Sequence, residues 1–88
     1  MQVEFRKSFQ KDLIKITDSK LLSKIRQVIE DIQEAENFNQ VNQVKKLRGE
    51  TNYYRIRVGS YRMGVKVGQG VVCFIRILHR KEIYRYFP

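Results

Sequence analysis

The clearest periodicity runs from Lys20 to Glu36. Leu21, Leu22, Ile25, Val28, Ile29 and Ile32 recur three and four residues apart, which predicts an amphipathic helix. Before it, Ser8–Ile16 sets Phe9, Leu13 and Ile16 at helical spacing, and Thr17-Asp18-Ser19 breaks the two helices and offers N-cap residues. Met1–Arg6 alternates weakly and predicts a short strand. Asn37–Gln43, rich in Asn and Gln, reads as a loop, and Val44–Arg48 ends at Gly49. From there the period becomes two. Tyr53–Val58, the turn Gly59-Ser60, Tyr61–Val67, the turn Gly68-Gln69-Gly70 and Val71–Leu78 predict a three-stranded meander. The order is β-α-α-β-β-β, an α+β fold with two N-terminal helices packed on one face of a small, mainly antiparallel sheet. Residues 1–88 are expected to form a single domain.

Alternation also sorts the strands' side chains by face. Tyr53, Arg55 and Arg57 share one face, and Tyr54, Ile56 and Val58 the other. In the partner strand, Arg62, Gly64 and Lys66 oppose Tyr61, Met63, Val65 and Val67. The helices must cover the apolar faces, which leaves Arg55, Arg57, Arg62 and Lys66 together on the open side. Gly64 among them is expected to leave room for a ligand backbone. Val71–Leu78 is apolar on both faces except at Arg76, which suits a central strand. It runs into His79-Arg80-Lys81, so the chain's one His is expected near the basic face.

Charge sharpens this picture. Eighteen Lys and Arg stand against nine Asp and Glu, a formal net charge of +9. That excess favours a polyanionic partner, and the hairpin's basic face carries no acidic residue to offset it. The stronger helix has Glu30, Asp31, Glu34 and Glu36 on its polar side, unlike a membrane-surface helix. No secretory signal or membrane span is apparent, which implies a cytoplasmic protein with no membrane partner. Cys73, the one cysteine, lies in an apolar run and reads as a small core residue. No spacing suits a metal, and no cofactor is implied.

Lys46-Leu47-Arg48-Gly49, Tyr54-Arg55-Ile56-Arg57, Tyr61-Arg62, and then His79-Arg80-Lys81 with Tyr84, in this order and spacing, resemble the RelE/ParE superfamily of bacterial toxins, the RelE branch in particular. The resemblance covers nearly the whole chain. It implies the RelE-like fold and a toxin that cuts mRNA in the ribosomal A site and is restrained by a cognate antitoxin in an oligomeric complex. Arg55 and Arg57 stand where RelE carries two hairpin lysines implicated in catalysis. Arg62 falls on the phosphate-stabilising arginine, Arg80 on the arginine assigned to the leaving group, and Tyr84 on the tyrosine that orients a base. Arg48 matches a basic residue at the sheet's edge. Lys45, Lys46, Arg48, Lys66 and Lys81 are the cations expected to bind RNA.

The chain departs from RelE in having arginine at both hairpin positions. Arginine stays protonated and is a poor base, though it clamps phosphate bidentately. His79, beside Arg80, is the expected proton carrier. The implied reaction is metal-independent transesterification: the RNA 2′-OH attacks its own phosphate and expels the 5′-oxygen. The same fold leaves two other functions open, inhibition of DNA gyrase as in ParE and an RNA- or antitoxin-binding module without catalysis.

Overall fold

The computed structural model describes residues 1–47, 49 and 51–88. In chain order they form β1 (Gln2–Phe5), α1 (Lys7–Ile14), α2 (Ser19–Glu34), a 3-10 turn (Phe38–Gln40), β2 (Val44–Lys46), β3 (Tyr53–Val58), β4 (Tyr61–Gly68), β5 (Val71–His79) and α3 (Ile83–Tyr86). The α+β order expected from the periodicity is present, with two additions: the edge strand β2 and the short C-terminal helix α3. The sheet order is β1-β5-β4-β3-β2, with β1 parallel to β5 and every other pair antiparallel.

Local chemistry explains the boundaries. Asp18 caps α2, its carboxylate accepting the N–H groups of Lys20 (2.9 Å) and Leu21 (3.2 Å). The β3–β4 turn places Gly59 at φ 58°, and the β4–β5 turn places Gln69 and Gly70 at φ 53° and 75°. One face of the sheet buries Ile56, Val58, Met63, Val65, Val72, Phe74 and Ile77 against Phe9, Ile16, Leu21, Ile25 and Ile32 of the helical segment. β5 lies between β1 and β4, in agreement with its apolar reading.

β5 does not alternate throughout. Val65 pairs with Phe74 and Gly64 with Arg76, so Ile75 is an extra residue, a β-bulge. An inserted residue exchanges the faces of everything beyond it. Ile77 and His79 therefore pair with Met63 and Tyr61 on the helix side, whereas Arg76 and Leu78 pair with Gly64 and Arg62 on the outer side.

β1 covers only the first half of β5, and α1 satisfies much of the rest of that edge. The Arg6 N–H donates to Phe74 O (2.9 Å), and the Ser8 hydroxyl donates to Ile75 O. The buried Asp12 carboxylate accepts from Ile77 N–H (3.1 Å) and, in a bidentate pair, from Arg76 Nε (2.7 Å) and Nη2 (3.0 Å). The Arg76 pKa is raised, first by its hydrogen bond to Asp12.

The outer face is not open as expected. Past β5 the chain turns back across it, and Ile83 and Phe87 join Leu47 in a second buried cluster with Tyr53, Ile75 and Leu78. Gly64 lies beneath Phe87. A Cβ there would lie 2.5 Å from the ring. The space expected to admit a ligand is filled by the protein's own tail. Cys73, expected in the core, is half-buried beside Lys66.

Two stability measurements follow from these contacts. Gly64→Ala should cost about 1–3 kcal/mol in urea unfolding, the scale of an overpacked core site. Asp12→Asn should cost about 2–3 kcal/mol. That is below the roughly 3–5 kcal/mol for breaking a fully buried pair, because the Arg76 side chain keeps 24% of its exposure.

Candidate functional site

Three strands and the tail meet around one open concavity of about 470 Å³, lined by Gln43, Val44, Lys45, Arg55, Arg57, Arg62 and Tyr84. The register explains the grouping. Lys45 lies opposite Arg55 and Arg57 opposite Arg62, so β2, β3 and β4 each place cations on the same outer face. α3 lays the Tyr84 ring over Arg55, with the guanidinium carbon 4.3 Å from the ring centroid. Arg55 is half-buried there, and its Nε finds no hydrogen-bond partner among the described residues. An unpaired, desolvated donor of this kind suits an anionic ligand.

Arg62 is folded toward the β3–β4 turn, its Nη1 donating to the carbonyls of Gly59 (3.0 Å) and Tyr61 (2.9 Å). Its pKa is lowered, first by desolvation, then by the positive charges of Arg57, Arg80 and Arg55, against an opposing effect of Tyr84. Arg80 is thus an electrostatic member of the cluster. The hydrogen bond from its N–H to Ser60 O (2.8 Å) ties its backbone to the hairpin turn. The surface holds several like charges near one another and is preorganised for negative charge.

The other expected residues lie elsewhere. His79 is on the helix side of β5, its ring edge-on to Tyr61 at 5.7 Å, in a separate concavity with Asp12, Lys15, Arg76 and Tyr86. Its Nδ1 accepts the Lys81 N–H (3.2 Å). The bulge at Ile75 places it there, where uninterrupted alternation would give the basic face. Lys46 is opposite Tyr54, on the face away from the arginines. Lys66 is on the outer face but past the tail, its ammonium 5.5 Å from the Tyr53 ring centroid, and it lines a different hollow with Glu4 and Asn52. Lys81 is exposed in the turn after β5. Arg48 lies outside the described residues.

Gln43 and Val44 line the concavity without having been expected there. Gln43 has φ 64°, an uncommon conformation for a non-glycine residue, and its carbonyl accepts the Arg57 N–H (2.9 Å). An Asn/Gln-rich loop gives no signal of that geometry.

The model of the ParE toxin family of type II toxin–antitoxin systems matches residues 3–84. The chain belongs to this family. The toxin is 45% identical over 89 residues to Toxin RelE3 of Methanocaldococcus jannaschii, with both chains covered in full. A chain of the crystallised RelB–RelE antitoxin–toxin complex from Methanococcus jannaschii shares its fold at a TM-score of 0.82 and 42% identity, over 97% of this chain and 99% of that one. A chain of the archaeal RelE–RelB complex from Pyrococcus horikoshii shows likeness in fold, with TM-score 0.73 and 20% identity over 90% and 93% of the two chains. The protein is therefore a type II system toxin of RelE type.

The crowded charges lead to a stability prediction that is independent of the toxin's target. Arg57→Gln should raise the unfolding free energy measured in urea at low salt by a few tenths of a kcal/mol, the scale for like charges directly opposed on paired strands. The gain should disappear in roughly 1 M salt, where screening shortens to about 3 Å.

Proposed function

We propose that the toxin is an endoribonuclease that cleaves mRNA on the ribosome and so arrests translation. The observation that carries this reading is the convergence of Arg55, Arg57 and Arg62 in one concavity beneath Tyr84. Three guanidinium groups suit a phosphodiester, and an exposed tyrosine at the rim suits stacking of an adjacent base. Binding across the concavity would leave the phosphate on Arg57 and Arg62 and the base on Tyr84.

In this mechanism the nucleophile comes from the substrate. The 2′-oxygen attacks phosphorus, the bond to the 5′-oxygen breaks, and the products carry a 2′,3′-cyclic phosphate and a 5′-hydroxyl. The protein aligns the attacking oxygen with the phosphate and stabilises the charge that accumulates on the phosphoryl oxygens. Arg55, Arg57, Arg62 and Arg80 have that role, Tyr84 positions the base, and Lys45 and Lys81 add attraction along the strand. His79 faces the other concavity and has no step here. Sequence and fold similarity to a protein crystallised as a RelB–RelE complex supports a cognate antitoxin as the partner.

The test is to incubate the toxin with programmed ribosomes and map the mRNA ends. The reading predicts cyclic-phosphate and 5′-hydroxyl ends within the A-site codon. Intact mRNA together with cleaved DNA–gyrase complexes would replace it with gyrase inhibition, the activity class carried by the ParE name. Intact mRNA with retained RNA binding would leave a binding module. Single-turnover rates assign the residues. Arg62→Ala should lose about 10²–10³-fold, the loss expected for one preorganised donor, whereas His79→Gln should stay at the wild-type rate. A His79→Gln loss as large as that of Arg62→Ala would return the imidazole to the reaction.

A further inference from the structure

The expelled 5′-oxygen needs a proton, and most of the concavity cannot supply one. Arg55, Arg57 and Arg62 carry charge but do not exchange protons at any working pH. Tyr84 is stacked on Arg55. His79 is in another concavity. Among the described residues, that leaves Lys45 as the ammonium group lining the site.

Its placement is fixed by backbone. β2 is only three residues long, yet it is extended at both ends: the Arg57 N–H donates to Gln43 O (2.9 Å), and the Leu47 N–H donates to Tyr53 O (3.0 Å). Lys45 is at the middle of that strand, opposite Arg55, on the outer face. β2 and β4 flank β3, and the β3 partners of Lys45 and Arg62 are two residues apart, so the two stand two strand spacings apart and offset along the strand, roughly 12 Å in all. A phosphodiester gripped by the arginines fits that span, and a lysine side chain reaches in from one side.

We infer that Lys45 is the general acid of the cleavage, an assignment that rests on the ribonuclease reading. As the 2′-oxygen bonds to phosphorus and the bond to the 5′-oxygen breaks, the electron pair of that bond goes to the 5′-oxygen. The Lys45 ammonium gives its proton to that oxygen, and solvent water takes the 2′-hydroxyl proton. The neutral amine regains its proton from water before the next turnover. An ammonium carries the proton that this step consumes, and a positioned acid typically contributes about 10²–10⁴-fold.

The experiment compares wild type and Lys45→Arg in single-turnover cleavage on programmed ribosomes with two mRNAs. One is ordinary, and the other carries sulfur in place of the scissile 5′-oxygen. A thiolate leaves without being protonated, and arginine keeps the charge without acting as an acid. Lys45→Arg should fall about 10²–10³-fold on ordinary mRNA while keeping its affinity, and should match wild type on the sulfur-containing mRNA. An ordinary-mRNA rate equal to wild type, or the same loss on both mRNAs, would overturn the assignment while leaving the ribonuclease reading intact. Wild type inert on both mRNAs would overturn that reading, and the Lys45 assignment with it. Because Lys45 is exposed, the variant should keep the wild-type urea midpoint, which checks that its loss is not a folding defect.

Discussion

The site depends on one steric fit, the Phe87 ring seated over Gly64. No other residue at position 64 leaves room for it. That contact, with Ile83 and Leu47 beside it, folds the chain's end across the outer face of the sheet. The same fold-back brings Tyr84 over Arg55 and closes one side of the concavity. Without the tail, the hairpin would present arginines on a flat, wet surface. With it, Arg55 is partly desolvated beneath an aromatic ring, where its charge acts through a lower dielectric. A burial contact is thus also an electrostatic one.

The second constraint is at the free half of β5. Asp12 satisfies the Ile77 N–H and both contacting nitrogens of Arg76, and Arg76 in turn packs against Tyr86, its guanidinium carbon 5.3 Å from the ring centroid. Helix α1, the sheet edge and the tail are linked there through a single carboxylate. Its hydrogen bonds compensate for burying charge that would otherwise be costly to desolvate. Among the described residues, the cationic cluster has no such partner. After desolvation, the charges of Arg57 and Arg80 disfavour the charged form of Arg62, a cost that an anionic ligand would relieve.

Much of this architecture is legible in the chain. The three-four spacing of Leu21, Leu22, Ile25, Val28, Ile29 and Ile32 specifies α2, and strict alternation in β3 and β4 gathers Arg55, Arg57 and Arg62 on one face. Three features are hidden for physical reasons. β2 is too short an edge strand to show a period. The bulge at Ile75 reverses the second half of β5 with no glycine or proline in β5 itself to mark it, the glycine beside the break being Gly64 on β4, and so moves His79 to the helix side. Ile83 and Phe87 are recognisably apolar, but nothing in their spacing names the surface they cover. Sequence alternation therefore describes the basic face as open, although the tail partly covers it.

The central claim is that the arginine concavity beneath Tyr84 is where the scissile phosphodiester sits. NMR titration of the isotopically labelled toxin with a short RNA carrying a 2′-O-methyl group at the scissile nucleotide addresses this directly, because such a strand binds but cannot be cut. The account predicts saturable shifts concentrated on the side-chain signals of Arg55, Arg57, Arg62 and Lys45 and on the Tyr84 ring, weakening with added salt. Shifts centred on His79, Tyr61 and Lys15, with the arginine signals unmoved, would contradict it.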